Sequence, residues 1–591
     1  DPLLWQHLFW LFGHPEVYII FLPAAGALST MIPTFARTPI ISYRMVLVAV
    51  AAMVVLSMGL WVHHMFTVGI PHLGLAFFAG ASMMVAVPTA IQIFVWIGTL
   101  WAGRPRWSVP MLYIAGFFLT FVFGGLTGVM VASVPFDWQA HDTHFVVAHL
   151  HYVLIGGFVF PLLAAAAYWA PLVTGRRGVP GLGVAAFWLI FLGTHGTFFV
   201  MHFTGLLGMP RRISVYPDNP EWELLNLISS IGGFVAATGF ALFAADLAYQ
   251  AILGRKTRHN PWRAGTLEWA LKHPAPAYNF AALPVVAEKA RMDHRPPRAI
   301  DALCHELEEG RGLLADAGRA QRETLSVTAN EGRAESVVIL PGNSLRPFVT
   351  ALAIGSFFGL MLAQLYWLTP LAVALIALAL VTWAGTDGAG RGEGPVPVGD
   401  GSELPRNHRI AGSLGWWGSV TLLIANGALF ASLYFGAVFL AVVAPNWPAA
   451  PLAGRESGDG LGLLAGGAAV LAASAGLAAA GWLGRLWRDN ATTAGLGAIL
   501  ATGALLLVGT IVHWRSMGGL PTMHALYALQ GVMLSYVVAH FAICALIAVA
   551  IRRAAAKGRA SDASVAVLRH WLVYTGACGV LVAIALLVER L

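Results

Sequence analysis

Charge is scarce in this sequence. Only 11% of its 591 residues are Asp, Glu, Lys or Arg, while 58% are hydrophobic. A soluble all-helical core would need far more charge on its outward faces, so that class is excluded. Cysteine is scarcer still: Cys304, Cys544 and Cys578 lie far apart and form neither a ligand pattern nor a disulfide framework. The basic residues are dispersed over loops, so the net charge of +7 and the pI of about 9.4 predict no nucleic-acid partner. The first ten residues, DPLLWQHLFW, contain neither a start Met nor a basic stretch. They are no signal peptide, and the sequence is expected to begin inside a longer protein. No internal repeat is visible, which counts against a repeat-built transporter.

Apolar sequence is what the chain has in abundance, with a mean hydropathy of +0.72. Spanning a bilayer takes about 20 apolar residues. Fourteen such runs are legible: 4–32, 45–66, 75–103, 109–133, 143–172, 182–208 and 222–253, then 346–365, 367–385, 413–445, 461–486, 492–514, 523–551 and 567–590. Each is predicted to be a helix, because hydrocarbon offers the backbone no other partner. The expected fold class is therefore all-α, a polytopic membrane bundle of about fourteen helices in two blocks of seven. The expected organisation is a first block over 1–253, a charged cytoplasmic linker over 254–344 and a second block over 345–591. A short amphipathic helical segment is expected within HRPPRAIDALCHELEEGRGLLADAGRAQRE.

Loop charge sets orientation. FARTPIISYR (35–44), GRPRW (103–107), GRRG (175–178) and GRKTR (254–258) are basic. The intervening loops FTVGIPHLG (66–74) and SVPFDWQAHDTH (133–144) have no Lys or Arg. This alternation places the basic set in the cytoplasm. One outer loop breaks it, GMPRRISVYPDNPEWE (208–223), with Arg211 and Arg212.

Histidine is concentrated at membrane depth in the first block, where polar residues are costly and usually functional. GHPEVY carries His14, Glu16 and Tyr18; WVHHMF carries His63 and His64; HDTHFVVAHLHYV carries His141, Asp142, His144, His149 and His151. Residues two apart sit about 200° around a helix, so His149 and His151 face opposite neighbours. Each could give one axial imidazole to a planar macrocycle. His14 and Tyr18, four apart, share a face, with Glu16 turned away. His63 and His64 could reach one ion only if their helix end is distorted. Three imidazoles suit copper better than magnesium or calcium. His14 lies about 20 Å down its helix, and the other clusters fall at a similar depth. A lone membrane histidine is usually a packing residue; a set at one depth is not.

The words HPEVY, HHMFTVG, HDTHFVVAHLHYV, GMPRR and NPWRAGTLEW resemble the catalytic subunit I of haem-copper oxygen reductases, over roughly 1–280. The family's first five spans are missing, and the second block looks like a divergent, fused subunit III. The resemblance implies that His14, His63 and His64 bind copper. It makes His149 the axial ligand of a high-spin haem and His151 that of a low-spin haem. Tyr18 would be the tyrosine cross-linked to His14, Glu16 the proton-delivering carboxyl, and His141 with Asp142 a magnesium site. Arg211 and Arg212 would meet haem propionates, which accounts for positive charge outside. Trp10 and Trp61 would pack around the copper. The expected cofactors are thus two haems, one copper and a magnesium ion.

The implied activity is reduction of dioxygen to water in a bacterial inner membrane, coupled to proton pumping. Cytochrome c is the expected donor, quinol the alternative, and a nitric oxide reductase the more distant one, against which Tyr18 stands. No Cys and His cluster for a dinuclear copper occurs here, so subunit II would be a separate partner. Gln92 departs from the family, which commonly has Lys there on a proton route past Thr89. Gln binds water but carries no charge. His144, where the family has Tyr, is unexplained.

Overall fold

In hydrocarbon an apolar run closes its own hydrogen bonds as a helix. The computed structural model describes residues 2–257, 260–271, 273–275, 280, 323–328, 330–340, 344–384, 394–398, 402–410, 412–443, 459–483, 491–517, 524–556 and 561–588. Among these, twelve helices are long and apolar enough to cross a membrane, rather than the fourteen expected. The other two runs form the shorter helices Tyr43–Ser57 and Arg346–Leu362, of 15 and 17 residues. At 1.5 Å per residue neither reaches across about 30 Å of hydrocarbon. The first stops early because the chain turns into a 3-10 turn, Trp61–His64, that carries two histidines. The second is followed by Gln364 in a left-handed conformation, φ 60°. The amphipathic segment expected after residue 294, and Cys304, lie outside the described residues.

The chain divides into two compact units, residues 1–312 and 313–591. The first comprises α1 (Pro2–Ala36), α2 (Tyr43–Ser57), the 3-10 turn, α3 (His72–Met84), α4 (Ala86–Ala102), α5 (Val109–Val131), α6 (Val134–Ala140), α7 (His144–Leu154), α8 (Phe160–Thr174), α9 (Pro180–Leu206) and α10 (Pro220–Leu253). A π turn, Ile155–Val159, joins α7 to α8. Its Gly156 sits so close to the Phe121 backbone that a Cβ would lie 2.7 Å from Phe121 N. Helices approach on small residues, as they must where no hydrophobic force drives them together. On α10, a Cβ at Gly239 would meet Ile190 N of α9 at 2.7 Å, and on α5 one at Gly124 would meet Val153 N of α7 at 2.9 Å. The core behind the site is aromatic: Phe21 stacks on Phe121, Phe121 on Phe117, and Trp96 Nε1 donates to Ser29 Oγ at 3.1 Å.

The chain leaving α10 folds back under this bundle. Strand β1 (Arg176–Arg177) pairs antiparallel with β2 (Arg255–Lys256). Trp262 Nε1 then donates to the Tyr168 carbonyl at 2.8 Å and Trp269 Nε1 to the Tyr168 hydroxyl at 2.9 Å.

The second unit holds α11 (Arg346–Leu362), α12 (Thr369–Ala384), α13 (Leu414–Val443), α14 (Asp459–Leu483), α15 (Ala491–Met517), α16 (Ala525–Ala555) and α17 (Asp562–Val588). Among the described residues its sheet is limited to the hairpin β3 (Glu323–Val327) with β4 (Ala334–Ile339), and to the two-residue strands β5 (Val396–Pro397) and β6 (Glu403–Leu404). Ala473, Leu477, Val537 and Val582 centre its core.

Candidate metal centre

Helix α1 presents His14 with Tyr18 one turn on, their ring centroids 4.7 Å apart. The 3-10 turn presents His63 and His64 together, the local distortion that adjacent residues need to face one point. One ring nitrogen from each of His14, His63 and His64 lies within 4.8 Å of the others. His14 Nδ1 and His64 Nε2 are 3.3 Å apart. Metal–imidazole bonds of about 2.0 Å space neighbouring ligands at about that distance. The donor set is three imidazoles with no carboxylate, a set that takes copper or another late transition metal rather than magnesium or calcium. His14 Nε2 is buried without a hydrogen-bond partner.

The surrounding groups fix these rings. Trp10 stacks on His64 at 3.8 Å and 13°. Ser82 Oγ donates to the Phe78 carbonyl at 2.6 Å, so it must accept from His63 Nδ1 at 2.9 Å, which leaves His63 Nε2 as a lone pair for an ion. Trp61 donates to His7 Nδ1 at 3.2 Å instead of stacking on the ligand rings. Glu16 points away from them, exposed on a face of α1 that the described residues leave uncovered.

On α7 the two histidines face opposite ways. His149 Nδ1 lies 3.0 Å from the Gly124 carbonyl on α5 and 3.2 Å from Thr127 Oγ1. His151 Nδ1 lies 2.8 Å from the Val147 carbonyl, and its ring stacks on Phe198 of α9 at 4.1 Å. A carbonyl only accepts, so both rings carry their proton on Nδ1 and keep Nε2 free to ligate. Gly128 makes the room: a Cβ there would lie 2.9 Å from His149 Cε1. The donor sets and this cradle fit a copper and axial haem ligation.

The outer loop is stitched to the start of α7. Arg211 N donates to the Asp142 carbonyl at 2.9 Å, His144 N donates to Met209 O at 2.9 Å, and Arg211 Nε donates to Asp142 Oδ1 at 2.6 Å. Partial burial opposes ionisation of Asp142, but the Arg211 guanidinium outweighs it and holds the carboxyl below its ordinary range. Arg212 is exposed, 3.9 Å from Asp142. His141 Nδ1 is held by Asp137 at 2.9 Å, so His141 and Asp142 are tied to different partners. On α4, Thr89 Oγ1 donates to the Val85 carbonyl, while Gln92 is fully buried with both amide atoms unpartnered.

Sequence reasoning missed Ser82, Thr127, His7 and Asp137. It missed the part-buried pair Tyr152–His195, with Oη and Nδ1 2.7 Å apart. Only Gly124 and Gly128 carried a visible sign, their four-residue spacing.

The family model for cytochrome c and quinol oxidase polypeptide I matches residues 1–235. Cytochrome c oxidase subunit 1 of Bacillus sp. (strain PS3) is 42% identical over 364 residues, covering 61% of this chain and 54% of that protein. The subunit 1 of Bacillus subtilis is 45% identical over 48% of this chain and 46% of its own length. That of Synechocystis sp. is 46% identical over 48% of this chain and 52% of its own length. The chain thus spans about half the length of the curated relatives it matches.

Proposed function

We propose, from the match of residues 1–235 to the family model for cytochrome c and quinol oxidase polypeptide I, that this chain is the catalytic part of a bacterial terminal oxidase that reduces dioxygen to water. One observation carries the reading: three imidazoles from two separate segments converge, with no carboxylate, beside a tyrosine on the same helix face. In this reading His14, His63 and His64 hold copper, His149 ligates the high-spin haem and His151 the low-spin haem. Bound iron and copper supply the redox chemistry. The chain's own residues do the positioning. Ser82 and Trp10 fix the copper-ligand rings, and the Gly124 carbonyl and Thr127 fix His149. Tyr18 holds a phenolic proton one helical turn from His14, whose unpartnered Nε2 is the atom open to the cross-link with Tyr18.

The finer assignments follow the same reading. Glu16 delivers and diverts protons for pumping, while Thr89 and Gln92 line a second route through water. Arg211 and Arg212 meet haem propionates, and His141 with Asp142 forms an outer magnesium site. Trp61 buttresses the copper-bearing turn through His7. Cytochrome c is the donor, as the names of the relatives suggest, delivered through a separate subunit II. Quinol is the alternative that the family name also covers. Residues 254–344 connect the catalytic segment to a subunit III-like part, 345–591, and the whole lies in the plasma membrane.

The test is His63→Ala in the purified complex. Elemental analysis should show one copper fewer per chain, with haem absorbance retained. Unchanged copper would refute the assignment.

A further inference from the structure

The alternation of basic loops accounts for where the positive charge lies, but not for how it is arranged. Three arginines distant in sequence meet at one end of the first unit. Arg37 follows α1, Arg106 lies in the loop from α4 to α5, and Arg263 lies in the return after α10. Backbone bonds fix the first two segments together: Arg104 N donates to Ala36 O at 2.7 Å and Arg106 N to Phe35 O at 3.1 Å. Gly103 permits this approach, since a Cβ would strike the Ala36 carbonyl. Arg37 Nη1 then donates to the Arg263 carbonyl at 3.3 Å, joining the third segment.

Two features exceed what a solvated basic face requires. Arg37 and Arg263 both adopt left-handed backbone, φ 59° and 52°, a conformation that costs a non-glycine residue energy. Arg37 Nε is also buried without a hydrogen-bond partner, although a guanidinium is a charged donor. Burial first, then the charges of Arg106 and Arg263, disfavour its protonated form. Among the described residues none of the three makes an ion pair with a carboxylate. Among the described residues, like charges gather around an unsatisfied donor and no carboxylate is paired with them.

We propose that Arg37, Arg106 and Arg263 form a binding site for a phosphate group, carried by an anionic phospholipid or free in solution. Guanidinium matches phosphate oxygens two at a time. The site lies at the cytoplasmic end of the spans, where anionic head groups accumulate. Trp101 and Trp107, which flank the arginine loop, are 89% and 70% exposed and offer interfacial contact to a lipid.

Native mass spectrometry of the full purified complex, from phosphatidylcholine bilayers containing phosphatidylglycerol, tests this, alongside titration with inorganic phosphate. Each of Arg106→Gln and Arg263→Gln should weaken anion binding about fivefold, from the usual contribution of one basic residue near a lipid surface. Arg104→Gln, on the same loop but outside the trio, should leave it unchanged and controls for general charge and folding. Phosphatidylglycerol that stays bound against millimolar phosphate identifies a lipid ligand. Arginine-dependent phosphate binding without lipid preference identifies the free anion. Both outcomes support the site. Equal effects of Arg104→Gln and Arg106→Gln, or none in the double variant Arg106→Gln/Arg263→Gln, overturn it.

Discussion

Single atoms decide much of the candidate centre. At Gly128 a methyl group would lie 2.9 Å from His149 Cε1, inside van der Waals contact. Gly128→Ala should therefore displace that ring, at about 1–3 kcal/mol of overpacking cost. The check is the visible spectrum: with His149 ligating the high-spin haem as proposed, that haem's band should shift or weaken in the purified protein while the low-spin band stays. Gln92 poses the opposite problem, a buried amide with no partner, which is costly unless water fills the space. If Gln92 lines the proposed proton route, Gln92→Lys should speed reduction of the oxidised enzyme in stopped-flow measurements, and equal rates would remove Gln92 from that proposal. The histidines were legible as a set, because packing alone does not require several imidazoles to recur at one depth. Ser82, which orients His63, was not, because a serine among apolar residues usually bonds its own helix, and Ser82 does that as well.

Elements place these residues by where they break as much as by where they run. The short α2 and the 3-10 turn are one device: ending the helix early lets neighbouring histidines face the same point. Hydropathy read 45–66 as one span, because it measures apolarity and not geometry. The outer loop is held differently, through Arg211 and Asp142. Asp142 has its carboxyl below the ordinary range, so the pair adds stability above the unfolded carboxylate pKa of about 3.9. That stability disappears as pH falls through the lowered folded value. Asp142→Asn should accordingly raise hydrogen exchange in residues 208–216 at pH 7, and make little difference in strong acid. The two arginines had stood out as an exception to the loop-charge pattern; the structure shows one of them tying the loop down and the other exposed.

For the whole molecule, the loop charges set an expected orientation, since it depends on which loops carry Arg and Lys. In a Cys304→Ser background, Val215→Cys should react with a membrane-impermeant maleimide on intact cells, and Arg104→Cys only after permeabilisation. The reverse pattern would invert the topology. The second unit was far less legible: its runs are rich in Ala and Gly and carry few chemically marked residues, so hydropathy found its helices but no site. Connection was harder to see than either. Residues 260–271 looked like the start of a polar linker, yet Trp262 and Trp269 anchor them to Tyr168. Tyr168 lies beyond the π turn at 155–159, and that turn spends an extra residue between α7 and α8. Removing one residue there would rotate everything downstream by about 100°, swinging Tyr168 off its indoles while leaving the α7 imidazoles where they are. The two ends of this span therefore hold independent angular settings, and a single codon's deletion could misalign the inner seal without touching the outer chemistry.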